Sequence, residues 1–584
     1  MDLPYVDRFL DPYDESLLWI VIVGFIIAFI LAFGLGANDA ANSFGTAVGA
    51  KVFTLLQAII LAAIFETLGS ILLGGNVSGT IRGGLFNASV YEGHEELLMV
   101  GQLSALASAC VWLLIATMMS LPVSASHSIV GASLGFHLVV FLGTGVDWFV
   151  IGKIAISWVA SPVISGVVSS AIYYVLKFTM LDRHDQLKSG LRAVPFWYFL
   201  VFFVNILSIL LGVKEVVEAT VLGVWLVVLI ALGGGLLCAL ITLAFLVPYT
   251  RRKAKGAELR QQHEQAEMGG DQTIKKIRQD FELEVSETQA YGNKCMTTDD
   301  ENGNTNKRDS DDLDSSGNEA GGETNRRHCN SAISDDDIPH DSEIRGGRAE
   351  SRMSRVSKVT STADDEEEDK GIFSVNKNSK DWLSVKDTVA VTTICGPLQG
   401  LSACFAAFSH GGNDVSNAIG PLIGLYLIYQ EGRISVDKPS PAWILVYGGV
   451  GIAVGLALLG RRVIKTIGSD LTPITPSTGF AINLGAAMTV LIASNLSIPV
   501  STTHCLVGSV AFVGFLRARK AMDLKLFTGI VSAWIITLPA TVLLSAAFMG
   551  LIQHAVPGGC DIQQMQYPPP NSTEIYSTVE MRTA

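Results

Sequence analysis

Charged residues are scarce in this 584-residue chain, which holds only 16% Asp, Glu, Lys and Arg against 49% hydrophobic residues. Residues 16–38, 97–146 and 471–516 contain none of these four charged types. Soluble domains carry about 25% charged residues. At a rise of about 1.5 Å per residue, an uncharged helix of this length can cross a hydrocarbon core of roughly 30 Å. The composition therefore excludes an ordinary soluble protein and predicts a chain that crosses a membrane many times.

Other signatures are missing as well. The eight cysteines form no CxxC pair and no spacing typical of a metal site or a disulfide framework. The sequence has no nucleotide-binding loop and no nucleophile–base arrangement, so we predict neither an enzyme nor a bound cofactor. The N-terminus lacks the basic region of a cleaved signal peptide, and we expect the first apolar segment to stay as a helix.

Apolar segments recur from one end of the chain to the other, at lengths typical of transmembrane or re-entrant helices. We predict an all-α polytopic membrane protein with about 12 such helices. The segments lie near residues 18–36, 52–75, 97–121, 128–143, 148–176, 194–213, 219–248, 388–410, 442–460, 478–497, 505–516 and 525–553.

One hydrophilic stretch separates two hydrophobic halves. Residues 251–380 hold 21 basic and 29 acidic residues. Such a segment cannot bury enough apolar surface to offset its chain entropy, so we predict disorder. The basic run TRRKAK at 250–255 directly follows an apolar segment and predicts a cytosolic loop, whose serines serve as phosphosites or only as part of a tether. We expect an extracellular segment at 1–17, a first transmembrane half at 18–248, the acidic loop at 249–383, a second half at 384–556 and an extracellular tail at 557–584.

Two motifs occur once in each half. GANDAANSFG at 36–45 matches GGNDVSNAIG at 411–420, and PVSASH at 122–127 matches PVSTTH at 499–504. Two independent motifs at nearly one offset indicate a duplicated protein. If the N-terminus is outside and the loop inside, an odd number of crossings precedes the loop. The copies then enter from opposite sides as inverted repeats, with ligand sites at the midplane between discontinuous helices and two helical hairpins.

The first motif has the residue types of a cation site. Carboxylate and amide oxygens are hard ligands that suit sodium, and the flanking Gly36 and Gly45 favour local unwinding of the helix, which frees backbone carbonyls. A charge at the bilayer centre costs at least about 2.5–3.5 kcal/mol, which favours a functional role over an Asp–Asn network that only joins helices. The candidate sodium ligands are Asn38, Asp39, Asn42, Asn413, Asp414 and Asn417.

The second motif suits an oxyanion. A proline followed by hydroxyl residues predicts the start of a helix, whose free N–H groups and dipole favour negative charge. Two such helix starts facing each other would hold a tetrahedral oxyanion, whereas the alternative is hairpin tips whose hydroxyls satisfy only local backbone. For His127 and His504 we favour a structural or gating hydrogen bond over direct ligation. The candidate phosphate ligands are Ser124, Ser126, Ser501, Thr502 and Thr503.

Together, the four motif segments GANDAANSFGTAVG, GGNDVSNAIGPL, LPVSASH and IPVSTTH resemble the paired signatures of the PiT-type inorganic phosphate transporters, solute carrier family 20. The resemblance covers both hydrophobic halves. It implies about twelve helices in inverted repeats, extracellular termini, and sodium-driven import of phosphate across the plasma membrane by alternating access. It also implies that Glu66, in FETLGS, stands where animal members carry a glutamate important for transport.

The sequence departs from that family at one position. Animal members usually read Glu-Leu-Ala-Ser-Ala before the second hairpin, whereas this chain reads NLGAA, with Asn483 at the glutamate position. An amide keeps oxygen ligation but loses a negative charge. The exchange leaves open a proton-coupled transporter, a carrier of sulfate or another oxyanion, or a transport-poor phosphate sensor or surface receptor.

Further expectations concern modification and partners. Asn87 heads a sequon in the polar connection after the second apolar segment and is the predicted glycosylation site. We expect inorganic phosphate, sodium and the lipid bilayer as partners, and no nucleic acid. Homo-oligomers, and regulatory proteins or kinases acting on the cytosolic loop, stay open.

Overall fold

The structure, a computed structural model, is almost entirely helical over the residues that it describes. These are residues 10–83, 85–212, 223–257, 260, 386–435, 438–465, 471–496, 498, 500–518 and 524–555. Within these ranges the one β feature is an isolated bridge between Phe86 and Val146. The predicted tail at 557–584 and nearly all of the predicted acidic loop lie outside the described residues.

Fourteen α-helices are numbered here along the described chain. In the first half these are α1 (Leu18–Leu35), α2 (Ala41–Gly49), α3 (Leu55–Gly83), α4 (Glu95–Met118), α5 (Ala125–Phe141), α6 (Trp148–Leu176), α7 (Gln186–Gly212) and α8 (Gly223–Ile241). In the second half they are α9 (Val389–Glu431), α10 (Ala442–Leu459), α11 (Arg461–Lys465), α12 (Pro476–Asn495), α13 (Thr502–Ala518) and α14 (Leu524–Ile552).

Ten helical stretches among the described residues are long and apolar enough to cross a membrane. Two further apolar helices, α5 and the stretch Thr502–Arg517 of α13, are shorter than a full crossing. The all-helical prediction is confirmed, and each of the twelve predicted apolar segments overlaps a helix. The described residues give ten long stretches and these two short helices, and the count of about 12 stays a prediction.

Local sequence accounts for several helix starts. Thr475 and Thr478 form a reciprocal capping box at the start of α12, and Pro476 occupies its first turn. The Asp147 carboxylate accepts hydrogen bonds from the first backbone N–H groups of α6. Short polar side chains therefore set where these two helices begin.

The predicted unwinding at the first motif is wrong in both copies. Residues 36–40 form one π-helical turn between α1 and α2, and residues 411–420 lie inside the continuous 43-residue helix α9. The glycines serve close packing instead of unwinding, because neighbouring helices approach their backbones directly. The helix that contains α8 continues to residue 257, and the start of the loop at 249 stays a prediction.

Two helix crossings of closely similar geometry involve these glycines. A Cβ on Gly36 would lie 1.8 Å from the carbonyl oxygen of Ile452, and one on Gly455 equally close to that of Phe33, where α1 crosses α10. In the second crossing, between α9 and α3, a Cβ on Gly411 would lie 2.1 Å from the Glu66 carbonyl oxygen. A Cβ on Gly69 would lie 1.9 Å from the Phe408 carbonyl oxygen in the same crossing.

We expect Gly69→Ala to destabilise the protein by about 1–3 kcal/mol, because its methyl group would meet backbone that cannot rotate away. Gly75→Ala on the same helix is the matched control, since nothing lies within 4 Å of a Cβ there. That change should be neutral or stabilising by up to about 1 kcal/mol. Thermal unfolding of the purified variants measures both effects, and equal melting temperatures would contradict the close crossing.

Helices of the two halves exchange partners in the core. The short helix α5 packs mainly against α14 of the second half, and α13 packs mainly against α6 of the first half. Gly131 and Gly135 bring α5 against the backbone of α14, while Gly508 brings α13 against the Pro162 carbonyl oxygen. The starts of α5 and α13 are thereby brought together between the halves.

Candidate functional site

The starts of α5 and α13 have matching hydrogen-bonded caps. The Ser124 hydroxyl accepts a hydrogen bond from the His127 backbone N–H, and the Ser501 hydroxyl accepts one from that of His504, both at 3.2 Å. The Ser126 hydroxyl instead donates a hydrogen bond to the Val500 carbonyl oxygen, at the hairpin tip before α13, at 3.2 Å. Two of the predicted phosphate ligands, Ser124 and Ser501, therefore already serve local backbone.

One asparagine from each copy of the first motif holds a hairpin tip. The Asn38 amide accepts from the Val123 N–H at 3.1 Å and donates to the Leu121 carbonyl oxygen at 2.9 Å. The Asn413 amide donates to the Val500 carbonyl oxygen at 2.9 Å. Both side chains are buried, and each tip is held by the motif of its own half. Asn42 lies in α2, but its side chain is outside the described structure.

Carboxylates of both motif copies meet the hydroxyls at the start of α13. Thr503 donates to Asp39 of the other half at 2.5 Å, and Thr502 donates to Asp414. Asn417 donates to Asp414 at 2.7 Å and to the Ser126 hydroxyl at 3.0 Å. Asp39, Asp414 and the hydroxyls of both tips thus form one connected polar cluster.

A histidine joins a third carboxylate to this cluster. His410 Nδ1 lies 2.6 Å from Glu66 Oε2, and its Nε2 lies 3.3 Å from Asp414 Oδ2. All three side chains are buried, and the imidazole also interacts electrostatically with Asp39. Two carboxylates therefore contact one imidazole, and a third lies within electrostatic range of it.

A small cavity of about 20 Å³ lies beside the cluster, which is room for about one water-sized guest. Asp39, Ser43, Ser409, His410 and Thr502 contribute polar groups to its wall. The remaining wall residues are Ala406, Ala486, Ala487, Val490 and Leu506. Five polar and five apolar residues therefore line the cavity.

Asn483 lies on α12 near the apolar wall residues of this cavity, separate from the Glu66–His410 pair. Its Oδ1 accepts a hydrogen bond from the Thr46 hydroxyl at 2.8 Å, and Gln399 donates to the Thr46 carbonyl oxygen at 2.9 Å. The buried Asn483 side chain is therefore hydrogen-bonded through its oxygen to a neutral partner, the Thr46 hydroxyl.

His127 and His504 pack behind the hairpin tips. Their rings meet edge to face at 4.4 Å, and each also contacts a tryptophan, Trp158 at 4.1 Å from His127 and Trp534 at 3.7 Å from His504. His504 Nδ1 lies 3.1 Å from the Trp158 carbonyl oxygen, and the Trp534 indole donates to the Pro122 carbonyl oxygen at 3.2 Å. These contacts place both histidines in a packed aromatic layer rather than among the carboxylates.

Sequence reasoning missed several residues of the cluster. His410 was overlooked although it stands four positions before Asp414, one helical turn away. Nothing in the sequence marks Thr46 and Gln399, which lie beside Asn483, because their hydrogen-bond partners lie on other helices. The predicted glycosylation site, Asn87, is exposed at the start of a short 3₁₀ turn.

Comparison with known proteins gives concordant results. The sequence profile of the phosphate transporter family matches residues 35–545. Sodium-dependent phosphate transporter 2 of Xenopus laevis is 37% identical over 93% of this chain and 99% of its own length. Sodium-dependent phosphate transporter 1-B of Danio rerio is 38% identical over 92% and 96%. A solved structure titled "The sodium-dependent phosphate transporter" aligns with a TM-score of 0.64 and 27% identity, over 91% of this chain and 99% of that one.

Proposed function

This chain belongs to the phosphate transporter family, and on that premise we propose that it is a sodium-coupled symporter that imports inorganic phosphate across the plasma membrane. The resemblance drawn from the motifs is thereby confirmed, and so is the prediction that the protein is not an enzyme, because its named relatives are transporters. The observation that carries the proposal is the buried cluster in which Asp39 and Asp414 accept hydrogen bonds from the hydroxyls at the start of α13, while His410 joins Glu66 to Asp414.

The excess of buried carboxylates explains why phosphate and sodium would move together. Three acidic side chains beside one imidazole repel an incoming anion and attract cations. Sodium bound by the carboxylate and amide oxygens of the two motif copies offsets that charge and lets phosphate enter. We therefore propose as cation ligands Asn38, Asp39, Asn42, Asn413, Asp414 and Asn417.

The starts of α5 and α13 are the proposed phosphate cradle. Ser126, Thr502 and Thr503 are the hydroxyls directed at the cluster, and they would exchange their carboxylate and amide partners for phosphate oxygens. Ser124 and Ser501 would contribute indirectly, by holding the two helix starts in place. His127 and His504 are proposed to set the separation of the two helix starts through the edge-to-face contact of their rings.

We also propose that the two halves are inverted repeats that rock about this site in alternating access. The similar glycine crossings, α1 with α10 and α9 with α3, support this symmetry, as does the exchange of partners between α5 and α13. Membrane topology would then place the acidic loop at 249–383 in the cytosol. The segment at 1–17, the tail at 557–584 and a glycan on Asn87 would be extracellular.

Asn483 supports one alternative, in which the same fold uses protons in place of sodium. A neutral amide paired with Thr46 supplies one negative charge fewer than the family glutamate would. Fewer fixed charges reduce the attraction for sodium, and coupling to another ion then becomes competitive.

Radiolabelled phosphate uptake with sodium replaced by choline tests the proposal. We expect wild-type uptake to fall to background without sodium, and Asn483→Glu to raise the apparent sodium affinity by roughly tenfold through its added charge. Uptake that persists in choline and rises with acidity would favour proton coupling. No uptake under any condition would favour a sensor or receptor, and competition by sulfate identifies a broader oxyanion carrier.

A further inference from the structure

Basic side chains collect where α6 ends, α7 begins and the helix that contains α8 ends. All but the half-buried Lys177 are exposed. Over residues 177–192 and 247–257, Asp182 and Asp185 are the acidic residues among them. The members of this basic surface are Lys177, Arg183, Lys188, Arg192, Arg251, Arg252, Lys253 and Lys255.

The two chain segments of the basic surface lie at the same level of the fold. Helices α7 and α8 pack along each other. A Cβ on Gly234 would touch Ile206, and one on Gly235 would touch Phe199. Further along, Val247 is buried in the same apolar cluster as Leu191 and Val194, so the helix that contains α8 runs toward the start of α7. Continuing in that direction past α8 brings Arg251 and the residues after it level with the first turn of α7. Charges that are about 60 residues apart in sequence therefore lie at the same end of this helix pair.

Exposed aromatic side chains border the basic surface on the side of the apolar helices. Phe178, Phe196, Phe245 and Tyr249 are each more than half exposed. The Arg183 guanidinium lies over the Phe178 ring, 4.7 Å from its centroid. Exposed tyrosine and tryptophan rings mark the depth of lipid headgroups in membrane-spanning proteins, and Tyr249 is such a ring two residues before Arg251. The basic surface accordingly lies at headgroup level instead of out in bulk water.

We propose that this basic surface binds the phosphate-bearing headgroup of a polyanionic lipid. Its excess of positive charge complements such a headgroup, and the adjoining aromatic rings would contact the upper acyl chain. A general excess of positive charge in cytosolic loops does not require two separate segments to meet beside exposed aromatic rings. The proposal rests on the membrane position given above, but it does not depend on which ion drives transport.

Binding is tested with the full-length protein purified in detergent. The probe is a fluorescent short-chain phosphatidylinositol bisphosphate, followed by anisotropy, and short-chain phosphatidylcholine is the uncharged comparison. We expect the anionic lipid to bind, the zwitterionic lipid not to bind, and millimolar inorganic phosphate not to displace the probe. Equal binding of both lipids, or displacement by inorganic phosphate or by an acidic peptide, would overturn the proposal.

Two double variants sample the two segments, Lys188→Gln with Arg192→Gln, and Arg251→Gln with Arg252→Gln. Each basic residue near an anionic headgroup contributes about a factor of five, so each double variant should weaken binding about 25-fold. Lys153→Gln with Arg433→Gln is the control, because it removes two exposed charges near the opposite ends of α6 and α9 from Lys177 and from the contact between Thr388 and Gln186. Unchanged affinity in either test variant, or an equal loss in the control, would contradict the proposal. No uptake is measured, so failure here leaves the transport proposal untouched.

Discussion

Asp39→Asn and Asp414→Asn should each reduce sodium-driven phosphate uptake by about 100-fold or more while leaving the amount of protein at the cell surface largely unchanged. Each substitution keeps the size and one hydrogen-bonding oxygen of the side chain but removes a buried charge that the proposed cations need. Losing such a charge–charge interaction costs about 3 kcal/mol or more, which corresponds to about two orders of magnitude in affinity. Uptake per molecule at the surface is the quantity to measure.

Asp147→Asn is the matched control for these two variants. Asp147 caps α6 away from the cluster, and asparagine caps a helix about as well as aspartate. Its uptake should stay at the wild-type level. If the two motif carboxylates served only to join helices, the asparagine variants would lose surface protein but keep uptake per molecule. Normal uptake by either variant would show that the cation-site assignment is wrong.

Glu66→Gln should also lower uptake strongly, by at least about tenfold. The substitution removes the carboxylate next to His410 Nδ1, and the imidazole then has Asp414 as its remaining close acidic partner. A tighter pair between His410 and Asp414 competes with a cation for the same oxygen, so sodium affinity should fall. Phosphate uptake measured over a range of sodium concentrations separates this loss of affinity from a loss of maximal rate.

A double-mutant cycle makes the Glu66 prediction sharper. If His410 acts on the site through Glu66, adding His410→Gln to Glu66→Gln should cost much less than the sum of the two single losses. Glu431→Gln is the control, because its ion pair with Lys438 is partly exposed and contributes little. Additive losses in the cycle would mean that Glu66 and His410 act independently, against the 2.6 Å contact between them.

The sequence predicts which acidic residues belong to the cluster better than it predicts which residues they contact. Asp39 and Asp414 stand out because the motif is repeated and because an intramembrane charge is costly. Glu66 stands out as the one charged residue between residues 52 and 81. Their contacts with Thr503 and His410 span 464 and 344 residues of sequence, and no periodicity reports on pairs so distant.

The glycines illustrate the opposite error. Flanking glycines indicate either a flexible backbone or a close approach, and the sequence alone cannot separate these readings because both require the absence of a side chain. The structure favours close approach at Gly36 and Gly411, where carbonyl oxygens of neighbouring helices occupy the space of a Cβ. The hydroxyls divide in a similar way, since Ser124 caps its own helix while Ser126 reaches the opposite tip.

The packing of α5 against α14 has a consequence for synthesis on the ribosome. The chain between the end of α5 and the start of α14 is more than 380 residues long, which takes about 20–80 s to translate. During that time the first half stands in the bilayer with α5 lacking its main packing surface, and Asp39 lacking Thr503. The first half therefore stays incompletely packed until the last helix is inserted.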